Sequence, residues 1–101
     1  MLWISAGIEV QDHAEIERAR TELEKLVAAT QHEPDCFKFE ILQNIEKPQC
    51  FTLWECWADA DALKAHFETT HTKAYLALGL TEVNYIERLE SCAGGAMEQA
   101  A

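Results

Sequence analysis

Residues 36–57 read Cys-Phe-Lys-Phe-Glu-Ile-Leu-Gln-Asn-Ile-Glu-Lys-Pro-Gln-Cys-Phe-Thr-Leu-Trp-Glu-Cys-Trp. Two runs of period two flank a turn. In the first, over 36–44, Phe37, Phe39 and Ile41 fall on one face, and Cys36, Lys38, Glu40 and Leu42 on the other. In the second, over 50–57, Phe51, Leu53, Glu55 and Trp57 oppose Cys50, Thr52, Trp54 and Cys56. Alternation of this kind marks strands. Asn44 to Gln49, with Pro48 inside it, supplies the turn chemistry of a hairpin. The middle of the chain is therefore an antiparallel β-hairpin.

The flanks repeat one arrangement. Upstream, residues 2–10 alternate, with Leu2, Ile4, Ala6, Ile8 and Val10 on one face and Trp3, Ser5, Gly7 and Glu9 on the other. Asp12, with Glu15 three residues later, resembles a capping box and opens a helix to about Thr30. Ile16, Ala19, Leu23, Leu26, Val27 and Thr30 form its apolar stripe at helical spacing. Glu17/Arg20 and Glu22/Lys25 are expected as solvated i,i+3 pairs on its outer side. Glu33-Pro34-Asp35 is a turn. Downstream of the hairpin, Asp59 is the N-cap of a second helix, with Leu63, His66, Phe67 and Thr70 on one stripe. Thr70 caps a further short helix through Leu78, which Gly79 ends. A last strand over 81–90 sets Val83, Tyr85 and Leu89 against Asn84, Ile86 and Arg88.

The order β-α-β-β-α-β predicts an α+β fold of the ferredoxin-like type, an antiparallel sheet with helices on one face. The other face should be polar if water covers it. Instead Trp3, Leu42, Trp54 and Ile86 are assigned there, so a second copy is expected to pack sheet against sheet. The domain is expected to span 1–90, and residues 91–101, which have no core pattern, to form a mobile tail.

Composition narrows the function. The chain has 101 residues, enough for one domain. Eight basic residues against eighteen acidic ones give a formal charge of −10, which repels phosphate backbones and anionic lipid. Nucleic acid and membrane surfaces are therefore not expected partners. No apolar run approaches the ~20 residues of a membrane span, and the N-terminus does not read as a signal peptide. Cys36, Cys50, Cys56 and Cys92 form no C-x-x-C pair, and are expected as reduced thiols of a cytoplasmic protein, serving as small buried hydrophobes.

Several residues carry chemistry. His66 lies on the apolar stripe beside Leu63 and Phe67, either as an acid/base group or as a core histidine with one hydrogen bond. Glu55 interrupts an apolar strand face, and a buried carboxylate must be paired or line a polar cavity. Its candidate partners are His66, His71 or a basic group, and a perturbed carboxylate in a cleft is a candidate base. Trp57, with Leu53 on its face and Phe39 on the neighbouring strand, offers a wall for a planar ring or ordinary core. His71 and Tyr75 are four residues apart and can share a helical face, where Tyr75 either meets an aromatic substrate or packs between helices. His66 and His71 are five apart, and on one continuous helix they would not share a face as the i,i+4 histidines of a metal site do. No metal site is expected.

The set Glu-Pro-Asp-Cys at 33–36, Phe-Thr-Leu-Trp-Glu-Cys-Trp at 51–57, Ala-His at 65–66 and His-Thr-Lys-Ala-Tyr at 71–75 resembles the antibiotic biosynthesis monooxygenase (ABM) superfamily. The likeness is to its small quinol-monooxygenase-like and autoinducer-2-isomerase-like members, and runs to about Leu89. The resemblance implies a dimeric α+β barrel with a pocket between each sheet and its helices. It also implies oxidation of a phenolic or quinol-type substrate by O₂ without metal or prosthetic group. Alternatives within the superfamily are isomerisation of a small carbonyl compound and a non-catalytic ligand-binding dimer. Lys38 and Lys73 are the few basic residues at hand for a phosphorylated substrate. Haem-degrading members carry an Asn on the first strand, a Trp in the second helix and a ligating His in the third. Gly7, His66 and Leu76 stand nearest those positions here, which points away from haem. Asp35 replaces the usual Gly of the turn.

Overall fold

In the computed structural model, which describes residues 1–94, four strands and three α-helices follow the expected order. They are β1 (Leu2–Val10), α1 (Ile16–Thr30), β2 (Cys36–Gln43), β3 (Cys50–Trp57), α2 (Ala60–His66), α3 (Thr70–Ala77) and β4 (Thr81–Leu89). All strand pairs are antiparallel, in the order β2-β3-β1-β4. This is the ferredoxin-like α+β arrangement. The tail reading concerns in large part residues 95–101, which lie outside the described residues.

The caps explain where the helices start. Asp12 accepts from the amide of Ala14 and opens a 3₁₀ turn (His13–Glu15) ahead of α1, so the helix proper begins one turn later than the capping pattern suggests. Asp59 accepts from Ala62 and caps α2. At α3 the cap is Thr69 rather than Thr70, its hydroxyl accepting from Thr72. The stripe expected from Leu63 through Thr70 is accordingly split. His66 ends α2 buried, while Phe67 follows it 47% exposed. Gly79, at φ 63, closes α3 in the left-handed conformation that glycine adopts without strain.

The core packs one sheet face against α1 and α3: Ile4, Ala6, Ile8 and Val10 of β1, Phe39, Phe51 and Trp57 of the hairpin, Ala19, Leu23 and Leu26 of α1, and Tyr75 of α3. The α1 stripe is as expected. Of the two surface pairs on α1, Lys25 and Glu22 meet at 2.8 Å, but Arg20 donates to Gln43 of β2 instead of pairing with Glu17.

Two bulges break strict alternation, and each moves residues across the sheet. Between Cys36 and Lys38 the register slips, so Cys36 lies opposite Trp57 on the helix side, not with Lys38 and Glu40. In β4 the slip falls opposite Gly7/Ile8. Tyr85 pairs with Gly7 on the outer face, while Val83 pairs with Ile8 and Ile86 with Ala6 on the helix side. The expected grouping of Val83 with Tyr85, and of Ile86 with Trp3, is corrected by that single extra residue. Trp3 and Trp54 do share the outer face, stacked with centroids 5.0 Å apart.

Candidate functional site

The chemistry-bearing side chains converge at one end of the helix side, where the turn after α1, the end of β3 and the α2–α3 junction meet. The organising residue is Glu33. Its backbone N–H is held by the carbonyl of Thr30, and two residues later Asp35 adopts φ 64. This is the left-handed region, which Asp tolerates better than most side chains. The Asp35 carbonyl then accepts from the amide of Ala58, fastening the turn to the end of β3.

Glu33 Oε2 is 2.7 Å from His66 Nδ1 and 2.6 Å from His71 Nε2. Side-chain exposures are 9% for Glu33, 5% for His66 and 29% for His71, so the first two are shut off from water and His71 forms the rim. A carboxylate can accept both ring N–H bonds while the imidazoles stay neutral. A carboxylate on Nδ1 fixes the tautomer and leaves the His66 Nε2 lone pair as a base. Burial pulls the His66 pKa down, opposed by the hydrogen bond and charge of Glu33 and assisted by His71. Thr72 Oγ1 lies 3.3–3.4 Å from the ring nitrogens of His66 and 2.8 Å from Thr69 Oγ1.

Aromatic rings wall this group. His66 lies 4.9 Å from Trp57 and 5.4 Å from Phe39, centroid to centroid, and Phe39 meets Trp57 edge-on at 6.3 Å. Trp57 is wholly buried, and its indole N–H donates to Glu55 Oε1 at 2.9 Å. Thus Glu55 is paired, but with an indole rather than with a histidine or a basic group. Burial raises its pKa to about 7, the Trp57 bond opposing and the Glu33 charge adding. Cys36, beside both carboxylates, is pushed up to about 11, first by burial and then by Glu33 and Glu55. A thiol so disfavoured as thiolate is a poor nucleophile, which fits its reading as packing. None of the four cysteines, all among the described residues, is in a disulfide.

Other candidates stand apart from this cluster. Tyr75 is buried in the core with its hydroxyl 2.8 Å from Thr81 Oγ1, and burial raises its pKa. Leu53 sits opposite Ile41 and Ala6 and serves the sheet–helix packing. A groove of about 720 Å³ runs between α1 and β2, lined by Arg20, Val27, Phe37 and Lys38, and touches the cluster through Cys36 and Phe39. In the sequence Glu33 stands only as the first residue of a turn and of the Glu-Pro-Asp-Cys set. No rule of period or spacing singles it out, because it lies in a turn between two elements and its partners come from α2 and α3. The His66–His71 spacing misleads for a simple reason: the residues sit on two helices, whose ends turn both rings onto one oxygen.

A family model for antibiotic biosynthesis monooxygenases matches residues 1–78. This chain belongs to the ABM family. Among relatives of this ABM protein, the uncharacterized protein YjcS of Bacillus subtilis is 28% identical over 86 residues, covering 85% of this chain and 82% of YjcS. A solved structure of PA3566 from Pseudomonas aeruginosa superposes with a TM-score of 0.83 at 27% identity, over 91% of this chain and 94% of that one. A crystal structure titled as an antibiotic biosynthesis monooxygenase gives a TM-score of 0.85 at 22% identity, over 92% of this chain and all of that one (100%), and supports the fold alone. Among the described residues of this ABM protein no helix is long and apolar enough to cross a membrane.

Proposed function

We propose that this ABM protein is a cofactor-independent monooxygenase of a small quinol- or polyphenol-like aromatic. The observation that carries the reading is the Glu33–His66 contact at 2.7 Å beside the rings of Phe39 and Trp57. It is an oriented neutral base in an apolar, aromatic wall. The substrate enters along the α1–β2 groove and reaches His66 past Phe39. His66 Nε2 takes the phenolic proton, and desolvation of the resulting anion makes it a strong reductant. One electron passes to O₂, the substrate radical and superoxide combine in a C–O bond, and the peroxide collapses. One oxygen atom stays as a new carbonyl and the other leaves as water. Glu55, poised near neutrality, is the second proton-transfer group.

We also propose that the working unit is a dimer through the sheet. Beyond Thr81 every residue of β4 is exposed, including Val83, Tyr85, Ile86 and Leu89, and the Trp3–Trp54 stack lies on the outer face. A second copy covers that apolar surface.

Oxygen consumption with a panel of reduced quinols tests the reaction. His66→Gln, which keeps the volume and loses the base, is expected to lower uptake about 10²–10⁴-fold with the fold intact by circular dichroism. No substrate-dependent uptake by the wild type removes the oxygenase reading; uptake indifferent to His66→Gln and Glu55→Gln removes the site assignment.

A further inference from the structure

We infer that Glu33, His66 and His71 form a binding site for a divalent transition-metal cation of the Zn²⁺ class. Glu33 Oε2, His66 Nδ1 and His71 Nε2 all lie within 4.8 Å of one another. They come from three elements, the turn after α1, the end of α2 and the start of α3, so their convergence is a product of the tertiary fold. Metal–nitrogen and metal–oxygen bonds of about 2.0–2.2 Å set neighbouring ligand atoms roughly 3 Å apart. The present separations of 2.7 and 2.6 Å therefore need only a small expansion. A cation takes the place of the two ring protons that now point at one carboxylate oxygen.

The donor set selects the ion. Two imidazoles and one carboxylate favour Zn²⁺, Co²⁺, Ni²⁺ or Fe²⁺ over the oxygen-seeking Mg²⁺ and Ca²⁺. Three protein ligands leave coordination positions open for water or a substrate oxygen. The charge is also right. Among the described residues no Lys or Arg pairs with Glu33, so its buried negative charge has only the imidazoles to answer it. His71, at the rim, gives the ion its way in. One consequence rests on the oxygenase reading: a metal on Nδ1 moves the remaining ring proton of His66 to Nε2 and removes the base.

The test titrates protein stripped with EDTA, using Zn²⁺ by calorimetry and Co²⁺ by visible absorption. One ion per chain is expected, with a Co²⁺ band. Glu33→Gln and His71→Ala should each weaken Zn²⁺ binding by about 100-fold or more without altering the circular dichroism, while His13→Ala, an exposed histidine in the 3₁₀ turn at the opposite end of α1, leaves it as it was. Absence of Zn²⁺ uptake by the wild type, or uptake that survives both substitutions, overturns the site. Oxygen uptake by the stripped protein keeps the two proposals apart. Quinol oxidation that appears only on adding Zn²⁺, Co²⁺ or Fe²⁺ supports the metal site and overturns the cofactor-free reading. Quinol oxidation by stripped protein supports the cofactor-free reading and leaves the calorimetry to decide the site.

Discussion

β3 and β4 both neighbour β1, and both mix aromatic, aliphatic and acidic residues, yet they have opposite fates. The end of β3 is sealed beneath α2 and α3, and the polar groups brought there are paired: Glu55 with Trp57, Glu33 with two histidines. β4 is an edge strand whose apolar side chains stand in the open on both faces. One region hides polar groups and the other displays apolar ones. Each inverts the usual rule that apolar groups go inside, and each inversion has a use. Buried, partnered polar atoms are what a reaction site requires; exposed apolar rows are what association requires.

The comparison breaks most visibly at β4. Tyr85→Lys with Leu89→Lys places two charges among the apolar rows of the outer face, opposite Gly7 and Trp3 of β1. If those rows meet a second copy, the double variant is expected to weaken association by at least about 100-fold, near 3 kcal/mol. Sedimentation should then fall from twice 11.4 kDa to 11.4 kDa. A wild type that already sediments as one chain at micromolar concentration ends the dimer proposal.

The next effect sharpens the β3 side. Glu55 has a pKa of about 7 in the folded chain against 4.5 as an ordinary side chain. Over that interval the native state holds the extra proton, so stability is full below the lower value and falls as pH rises through the upper one. Glu55→Gln keeps an acceptor for the indole and has no proton to lose. Its stability relative to wild type should grow from pH 4.5 to pH 7 by on the order of 2–3 kcal/mol and then level off. Urea unfolding at pH 5 and pH 8 reads the difference, and a gap independent of pH contradicts the buried-carboxylate account.

A third prediction joins the two strands through β1. A β-carbon at Gly7 would stand 2.2 Å from Cε2 of Tyr85, so the ring occupies the place of a side chain. Gly7→Val should cost about 1–3 kcal/mol through overpacking. Tyr85→Ala in the same chain should recover most of it. Equal losses in the single and double variants would show that the ring contact is not the cause.

How far the residues alone reach follows from the same contrast. The four strands, α1, the Asp59 cap and the Gly79 stop follow from local rules of period, capping and backbone freedom. The bulges do not, because a slip of register at Cys36 or opposite Gly7 leaves no mark in composition, and so Cys36, Tyr85 and Ile86 end on the faces opposite to those alternation assigns. His66 and Glu55 announce themselves as polar residues on apolar faces. Their partners, Glu33 and the Trp57 indole, are set by tertiary approach. Glu33 reaches His66 across 33 positions of sequence, which periodicity cannot see.

The smallest effect concerns Thr30, at the last turn of α1 just before Glu33. It is fully buried, and among the described residues its hydroxyl has no hydrogen-bond partner. The rule of paired burial that holds for Glu33, His66 and Glu55 fails at this one atom. Valine has nearly the same shape and the same branching at Cβ, so Thr30→Val exchanges an unsatisfied hydroxyl for a methyl with little change in packing or helix preference. The desolvation penalty of the hydroxyl is relieved, and stability is expected to rise by about 1 kcal/mol, a gain of roughly 4–8 °C in Tm for a domain of this size. If Thr30→Val instead lowers Tm, the hydroxyl is bonded to an ordered water, and the polar cluster extends back into α1 instead of stopping at Glu33.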